Sequence, residues 1–159
     1  MKIMLQIDIP GFGEIILEHA VFDYNGTLAC EGEIDQKTLN LLLRLQEKLV
    51  IHILTADTFG LVEESLKHYT FNVHILKDGA EAGQKAAYVK DLDRSKVVSF
   101  GNGNNDVEML KISRVGIAVL MEEGCSTKAL ESANLVVNGI RNGIELILNP
   151  LRLKAGLRF

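Results

Sequence analysis

Apolar positions along this chain alternate between short unbroken runs and helical spacings from about residue 19 to residue 148. The runs at residues 19–23, 50–54, 72–76, 96–100, 115–120 and 135–137 are β-branched and too brief for helices, so they read as buried strands. Between them, apolar residues recur three and four apart. Asp35 can cap a helix reaching about residue 48, with Leu39, Leu42, Leu43 and Leu49 on one side and Gln36, Lys37, Asn40, Glu47 and Lys48 elsewhere. Residues 60–69 carry Leu61, Val62, Leu66 and Tyr69 at helical spacing, and Ala82, Ala86 and Val89 predict a helix ending near residue 92. Further helices are expected over 106–112, 126–133 and 140–148. Ahead of this region, residues 2–9 and 14–18 flank Pro10-Gly11-Phe12-Gly13, a turn composition that predicts an antiparallel hairpin. The whole pattern is that of an α/β fold: a three-layer open sheet, mostly parallel, with helices on both faces.

Size and composition narrow the picture. A chain of 159 residues can bury roughly 70% of its unfolded surface, so 1–159 is expected to form one domain, with a hairpin over 1–18 and a tail over 150–159. Seventeen basic against 21 acidic residues give a net charge of −4, which provides no broad positive face for nucleic acid. Asp8 and Pro10 interrupt the N-terminal apolar stretch too early for a signal-peptide core, and no run approaches the roughly 20 residues of a membrane helix. Cys30 and Cys125 have no metal or disulfide spacing, His19, His52, His68 and His74 form no metal motif, and a reducing cytoplasm is the default location. The tail combines Arg152, Lys154 and Arg158 with Leu151, Leu153, Leu157 and Phe159, and is expected to pack on the domain rather than stand exposed.

The chemistry centres on Val21-Phe22-Asp23-Tyr24-Asn25-Gly26-Thr27-Leu28-Ala29. Asn-Gly between apolar residues is by itself a strong hairpin signal. The alternative is a turn that leaves Asp23 at a strand end, facing a ligand. In open α/β sheets ligands bind beyond the carboxyl ends of the strands, and Asp23, Thr55 and Gly101 all fall at such ends in this reading.

Four stretches in order, Asp23 to Thr27, Thr55-Ala56-Asp57, Gln84-Lys85 and Gly101-Asn102-Gly103-Asn104-Asn105-Asp106, resemble the four motifs of the haloacid dehalogenase superfamily of aspartate-nucleophile phosphotransferases. The likeness is strongest to soluble relatives of the phosphorylation domain of P-type ATPases, and Val115-Gly116-Ile117-Ala118 extends it. The resemblance implies a Rossmann-like, haloacid dehalogenase-like fold and an aspartyl-phosphate formed on Asp23. It implies catalytic roles for Asp23, Asn25, Thr55 and Lys85. Phosphate oxygens would be held by Thr55, Lys85, Asn105 and backbone amides around Gly26 and Ala56. Magnesium would be held by Asp23, the main-chain carbonyl of Asn25, Asn102 and Asp106. Each residue also has a plainer reading: Thr55, Asp57 and Asp106 as helix caps, Lys85 as a solvated helix residue, Asn104 and Asn105 as turn formers.

Two departures from the family pattern shape the expected activity. Asn25 stands where the family's phosphatases carry a general acid, and losing such a group costs about 10²- to 10⁴-fold in rate. Asn102 replaces an aspartate, so the metal site is one negative charge short. Weak magnesium binding and slow turnover of a phosphorylated substrate, small or macromolecular, are the expectation. The segments 28–54 and 56–84 are filled by predicted strands and helices, so no cap domain is expected and a second copy of the chain would be one way to close the site. The alternatives are a non-catalytic binding or regulatory module and, third, ATP hydrolysis as in the pumps.

Overall fold

The computed structural model describes residues 3–57 and 59–159. Its elements in chain order are β1 (Leu5–Ile9), β2 (Gly13–Leu17), β3 (His19–Asp23), α1 (Gln36–Leu45), β4 (Val50–Thr55), α2 (Leu61–Leu66), β5 (Asn72–Ile75), α3 (Glu81–Asp91), β6 (Val97–Gly101), α4 (Val107–Ile112), β7 (Val115–Leu120), α5 (Thr127–Ser132), β8 (Leu135–Asn138), α6 (Ile140–Leu148) and α7 (Pro150–Leu157). Six strands form one parallel sheet in the order β5-β4-β3-β6-β7-β8. The order reverses at β3, whose neighbours β4 and β6 lead into helices on opposite faces.

Alternation along β3 shows the two faces. Ala20 and Phe22 point into the larger core with Leu42, Ile53, Phe100 and Ile144, whereas Val21 packs with Leu54, Val89, Val97 and Met109. The first face carries α1 against α6 and α6 against α7, and the second carries α3 against α4 and α4 against α5. Gly116 on β7 permits the closest approach: a Cβ there would stand 2.2 Å from the Leu110 carbonyl oxygen of α4.

The hairpin forms a separate two-stranded sheet, Leu5 paired with Leu17 and Ile9 with Gly13. Lys2, expected to begin its first strand, lies outside the described residues. Gly11 turns it with φ of +77°, the left-handed region that favours glycine. Glu18 links hairpin to sheet, its amide donating to the Lys96 carbonyl and its carbonyl accepting from the Val50 amide, both at 2.9 Å.

The tail expected to pack on the domain is helical: Pro150 occupies the first turn of α7, where its missing N–H costs nothing. The helix buries Leu153 and Leu157 and lies against β1, so the tail does pack on the domain. On α1 the inner side is Leu39, Leu42 and Leu45, with Leu43 half-buried, because the helix stops at Leu45 and Leu49 arrives from the following turn. Leu61 is 69% exposed, since α2 is a short helix that inserts only Val62 and Leu66. Among the described residues, no helix is long and apolar enough to cross a membrane.

Candidate active site

The Asn25-Gly26 turn does not make a hairpin, because both edges of β3 are already filled by parallel neighbours. The chain instead coils on itself. The Tyr24 carbonyl accepts from the amides of Thr27, Leu28 and Ala29, Gly26 donates to the Ala29 carbonyl, and Gly26 takes φ of +79°. This puts the Thr27 hydroxyl 3.2 Å from Asp23 Oδ2, to which it donates.

Around Asp23 the sequence-distant groups meet. Lys85, on the second turn of α3 and 1% exposed, donates to Asp23 Oδ1 at 2.9 Å and to Asp106 Oδ1 at 2.7 Å. Asp106 Oδ2 accepts from the amides of Asn102 and Gly103 at 2.9 and 3.0 Å. The loop after β6 is therefore folded around one carboxylate, and Gly101 is required beside it: a Cβ would lie 2.5 Å from Asp106 Cγ. Asn102 Oδ1, 3.3 Å from the Thr27 hydroxyl, is an alternative acceptor for its one proton, and Asn102 Nδ2 donates to the Gly124 carbonyl at 3.2 Å. Asp23, Thr27, Lys85, Asn102 and Asp106 thus form one connected network at the point where strand order reverses, the usual ligand position in such sheets.

One cation serves two buried carboxylates. Burial, then the charge of Asp106, pushes the Asp23 carboxyl from 3.8 up to about 7, with Lys85 and Thr27 pulling the other way. Burial opposes the Lys85 charge, but Asp23 and Asp106 together outweigh it and hold the ammonium above its ordinary range. Removing charge from water is unfavourable without compensation. The network therefore stores electrostatic tension at Asp23, the member of the charged triad with Lys85 and Asp106 whose side chain is most open to solvent, at 12%.

The other nominated residues are arranged around this centre. Thr55 ends β4, one residue past the position paired with Asp23, and its buried hydroxyl accepts from the Asp57 amide at 3.1 Å. Asp57 accepts from the amides of Phe59 and Val62, both at 3.0 Å, and so caps the segment entering α2. Ala56 and Asn25 are exposed at the strand ends, and Gly26 is buried. The Asn105 amide donates to Glu81 Oε2 at 2.9 Å and ties the Asn104–Asp106 turn to α3.

Three residues without an assigned role in the sequence reading now have a place. Thr27 links Asp23 to Asn102, and its spacing within the Asp23 stretch was a legible signal. Glu81 and Glu123 carry no local signal. A Cβ on Gly26 would stand 2.5 Å from Glu123 Oε2 and 2.6 Å from Asn102 Nδ2, so Gly26 is the gap through which the 121–124 turn approaches the site.

The donor set suits a small hard cation. Magnesium takes oxygen ligands, usually one or two carboxylates plus waters and substrate phosphate. Asp23 and Asp106 are carboxylates, and Asn102 offers a neutral carbonyl oxygen. Among the described residues no three His, Cys, Asp or Glu side chains converge on a common point, so such an ion would rest on few charged ligands.

A lysine-bound aspartate thus stands at the switch point of a doubly wound parallel sheet, and comparisons with known proteins show what the chain resembles. A profile for haloacid dehalogenase-like hydrolases matches residues 63–138. An uncharacterized protein of Methanocaldococcus jannaschii is 37% identical over 86 residues, 52% of this chain and 92% of that protein. The 3-deoxy-D-manno-octulosonate 8-phosphate phosphatase of Moraxella catarrhalis, solved with magnesium, phosphate and its sugar, superposes with a TM-score of 0.65 at 19% identity, covering 84% of this chain and 86% of that one. The cobalt-bound deoxy-D-mannose-octulosonate 8-phosphate phosphatase of Haemophilus influenzae gives 0.66 at 11% identity, covering 84% and 88%. Residues 63–138 thus carry the haloacid dehalogenase-like pattern, and the fold is shared with these phosphatases.

Proposed function

We propose that the protein is a magnesium-dependent phosphohydrolase or phosphotransferase acting through an aspartyl-phosphate on Asp23, with slow turnover. The observation that carries this reading is the buried Lys85 held between Asp23 and Asp106 at 2.9 and 2.7 Å. It fixes a positive charge against the carboxylate that would attack, where negative charge accumulates on the transferring group. Bound at Asp23, Asp106, Asn102 and the Asn25 carbonyl, magnesium would offset the repulsion between carboxylate and phosphate.

In the first step an Asp23 oxygen bonds to phosphorus while the ester oxygen leaves and takes a proton from water. In the second, water attacks the aspartyl-phosphate, releasing inorganic phosphate, the free carboxylate and a proton. Thr55 and backbone amides near Gly26 and Ala56 would donate to the phosphoryl oxygens. Asn25 can neither give nor take the proton in either step, so both rely on solvent. A second copy of the chain or a bulky substrate would cover the site, because the described segments from β3 to α1 and from β4 to α3 contain no inserted domain.

Intact-mass analysis after incubation with magnesium and acetyl phosphate tests the reading. A phosphate adduct on wild type that is absent from Asp23→Asn, and that decays faster in Asn25→Asp, is the expected result. A second reading, a binding module without turnover, is favoured by Asn25 and Asn102. Absence of the adduct together with no phosphate release from p-nitrophenyl phosphate would establish it in place of the first. The resemblance to pump domains favours ATP as phosphodonor only if ATP labels Asp23 as acetyl phosphate does.

A further inference from the structure

A cavity of about 750 Å³ opens at the carboxyl ends of β3, β7 and β8. Three segments line it, and all leave the carboxyl ends of strands: residues 28–38 after β3, 120–122 from the last residue of β7 and 138–142 from the last residue of β8. Two of its lining residues adjoin the site along the chain. Leu28 follows Thr27, whose hydroxyl reaches Asp23, and Glu122 precedes Glu123, whose carboxylate lies over Gly26. A volume of this size takes a small organic molecule.

The lining is selective in what it accepts. Its apolar part, including Leu28, Ile34, Met121 and Ile140, contains no aromatic ring, so a nucleobase has no platform to stack on. Its charged part sets Glu33, Asp35 and Glu122 against Arg141, three carboxylates to one guanidinium, a formal charge of −2. The single cation is not open to an incoming anion alone, because Arg141 already acts on Asp35. Cys30, on the same wall, registers the negative field: its thiol is pushed up first by burial and then by Glu122, with Glu31 and Glu123 adding to it. Carboxylates accept hydrogen bonds and repel anions.

We infer that this cavity is the leaving-group pocket for a phosphate monoester whose alcohol carries hydroxyl or ammonium groups and no second anionic group. The inference rests on the phosphohydrolase reading of Asp23 and adds the substrate class. The carboxylate-rich wall receives the hydroxyls or the ammonium while the phosphoryl group sits at Asp23, and an alcohol bearing its own carboxylate meets like charge within the same volume.

The test uses three hexose-sized esters: glucosamine 6-phosphate (cationic), glucose 6-phosphate (neutral) and 6-phosphogluconate (anionic). Phosphate release by the full chain with magnesium is expected to give kcat/KM at least about tenfold higher for the first two than for the third, the equivalent of about 1.4 kcal/mol. In a Glu33→Gln, Glu122→Gln double variant, altered only at exposed positions, that gap is expected to fall to about threefold or less. Equal or faster hydrolysis of 6-phosphogluconate overturns the inference. So does a gap unchanged in the double variant, or turnover of p-nitrophenyl phosphate with none of the three hexose esters. Failure of acetyl phosphate to label Asp23 is a separate outcome, in which the parent reading falls and this inference with it.

Discussion

Replacing Asp23 by Asn should abolish phosphoryl transfer and at the same time make the protein more stable. The carboxylate is raised from 3.8 to about 7, and each pKa unit corresponds to about 1.36 kcal/mol. Full conversion of the shift gives about 4 kcal/mol, and sharing of charge within the triad and residual solvent access reduce this to about 2–4 kcal/mol. The structure shows that an amide is accommodated. Its oxygen can keep the Lys85 bond, its nitrogen can donate to Thr27 Oγ1, and Thr27 can then donate to Asn102 Oδ1, already 3.3 Å away. Lys85 retains Asp106, so two carboxylates sharing one ammonium become a neutral pair. The sign follows from proton uptake. A carboxyl whose folded pKa exceeds its unfolded pKa binds more protons when folded, so its burden is absent below pH 3.8 and fully present above about 7. Urea unfolding of wild type and variant at pH 4.5 and pH 8 gives the comparison, and the difference between the two proteins cancels contributions from other groups. The stabilisation should be largest at pH 8 and correspond to a midpoint shift on the order of 10 °C in a thermal melt. A variant less stable than wild type at pH 8, or a difference that does not change with pH, refutes the account of Asp23 as an electrostatically burdened nucleophile.

Other perturbations probe separate parts of the structure. His52 lies buried between His19 Nδ1 at 3.0 Å and the Tyr88 hydroxyl at 2.8 Å, with the His74 ring 5.0 Å from that tyrosine. Burial, then His19, lowers its pKa from 6.5 to about 4, so about 2–3 kcal/mol of stability present above pH 6.5 should fade as pH falls towards 4; stability of His52→Gln followed against pH should lack that loss. Gly116→Ala should cost about 1–3 kcal/mol or more by urea midpoint, because the new methyl meets the Leu110 carbonyl at 2.2 Å and both partners are backbone-constrained; an unshifted midpoint would show that α4 can move aside. Leu153→Ala should cost about 2–5 kcal/mol and make the C-terminal segment protease-sensitive, since this fully buried side chain anchors α7 in the core; limited proteolysis leaving the tail intact would contradict that.

What the sequence determined by itself was the set of elements with strong internal period and the residues delivered by strand ends. β7 and α6 begin and end where their apolar patterns do, because a buried parallel strand or an amphipathic helix writes its own limits. Asp23 could be placed at a strand end for the same reason, whereas Lys85 and Asp106 are nominated by the resemblance of their stretches to the haloacid dehalogenase motifs. Only the tertiary structure decided the rest. Asn-Gly after β3 favours a hairpin locally, and the turn coils instead because β4 and β6 occupy both edges. The basic, half-apolar tail becomes α7 because β1 and α6 offer it a surface. Asn105 turns to Glu81, 24 residues earlier, and Glu123 reaches Gly26, pairings that no local pattern encodes. The sheet order brings residues 28–38, 120–122 and 138–142 around one cavity. Periodicity states which side of an element avoids water; which neighbour covers that side, and which charges are left facing one another, depends on how the elements pack.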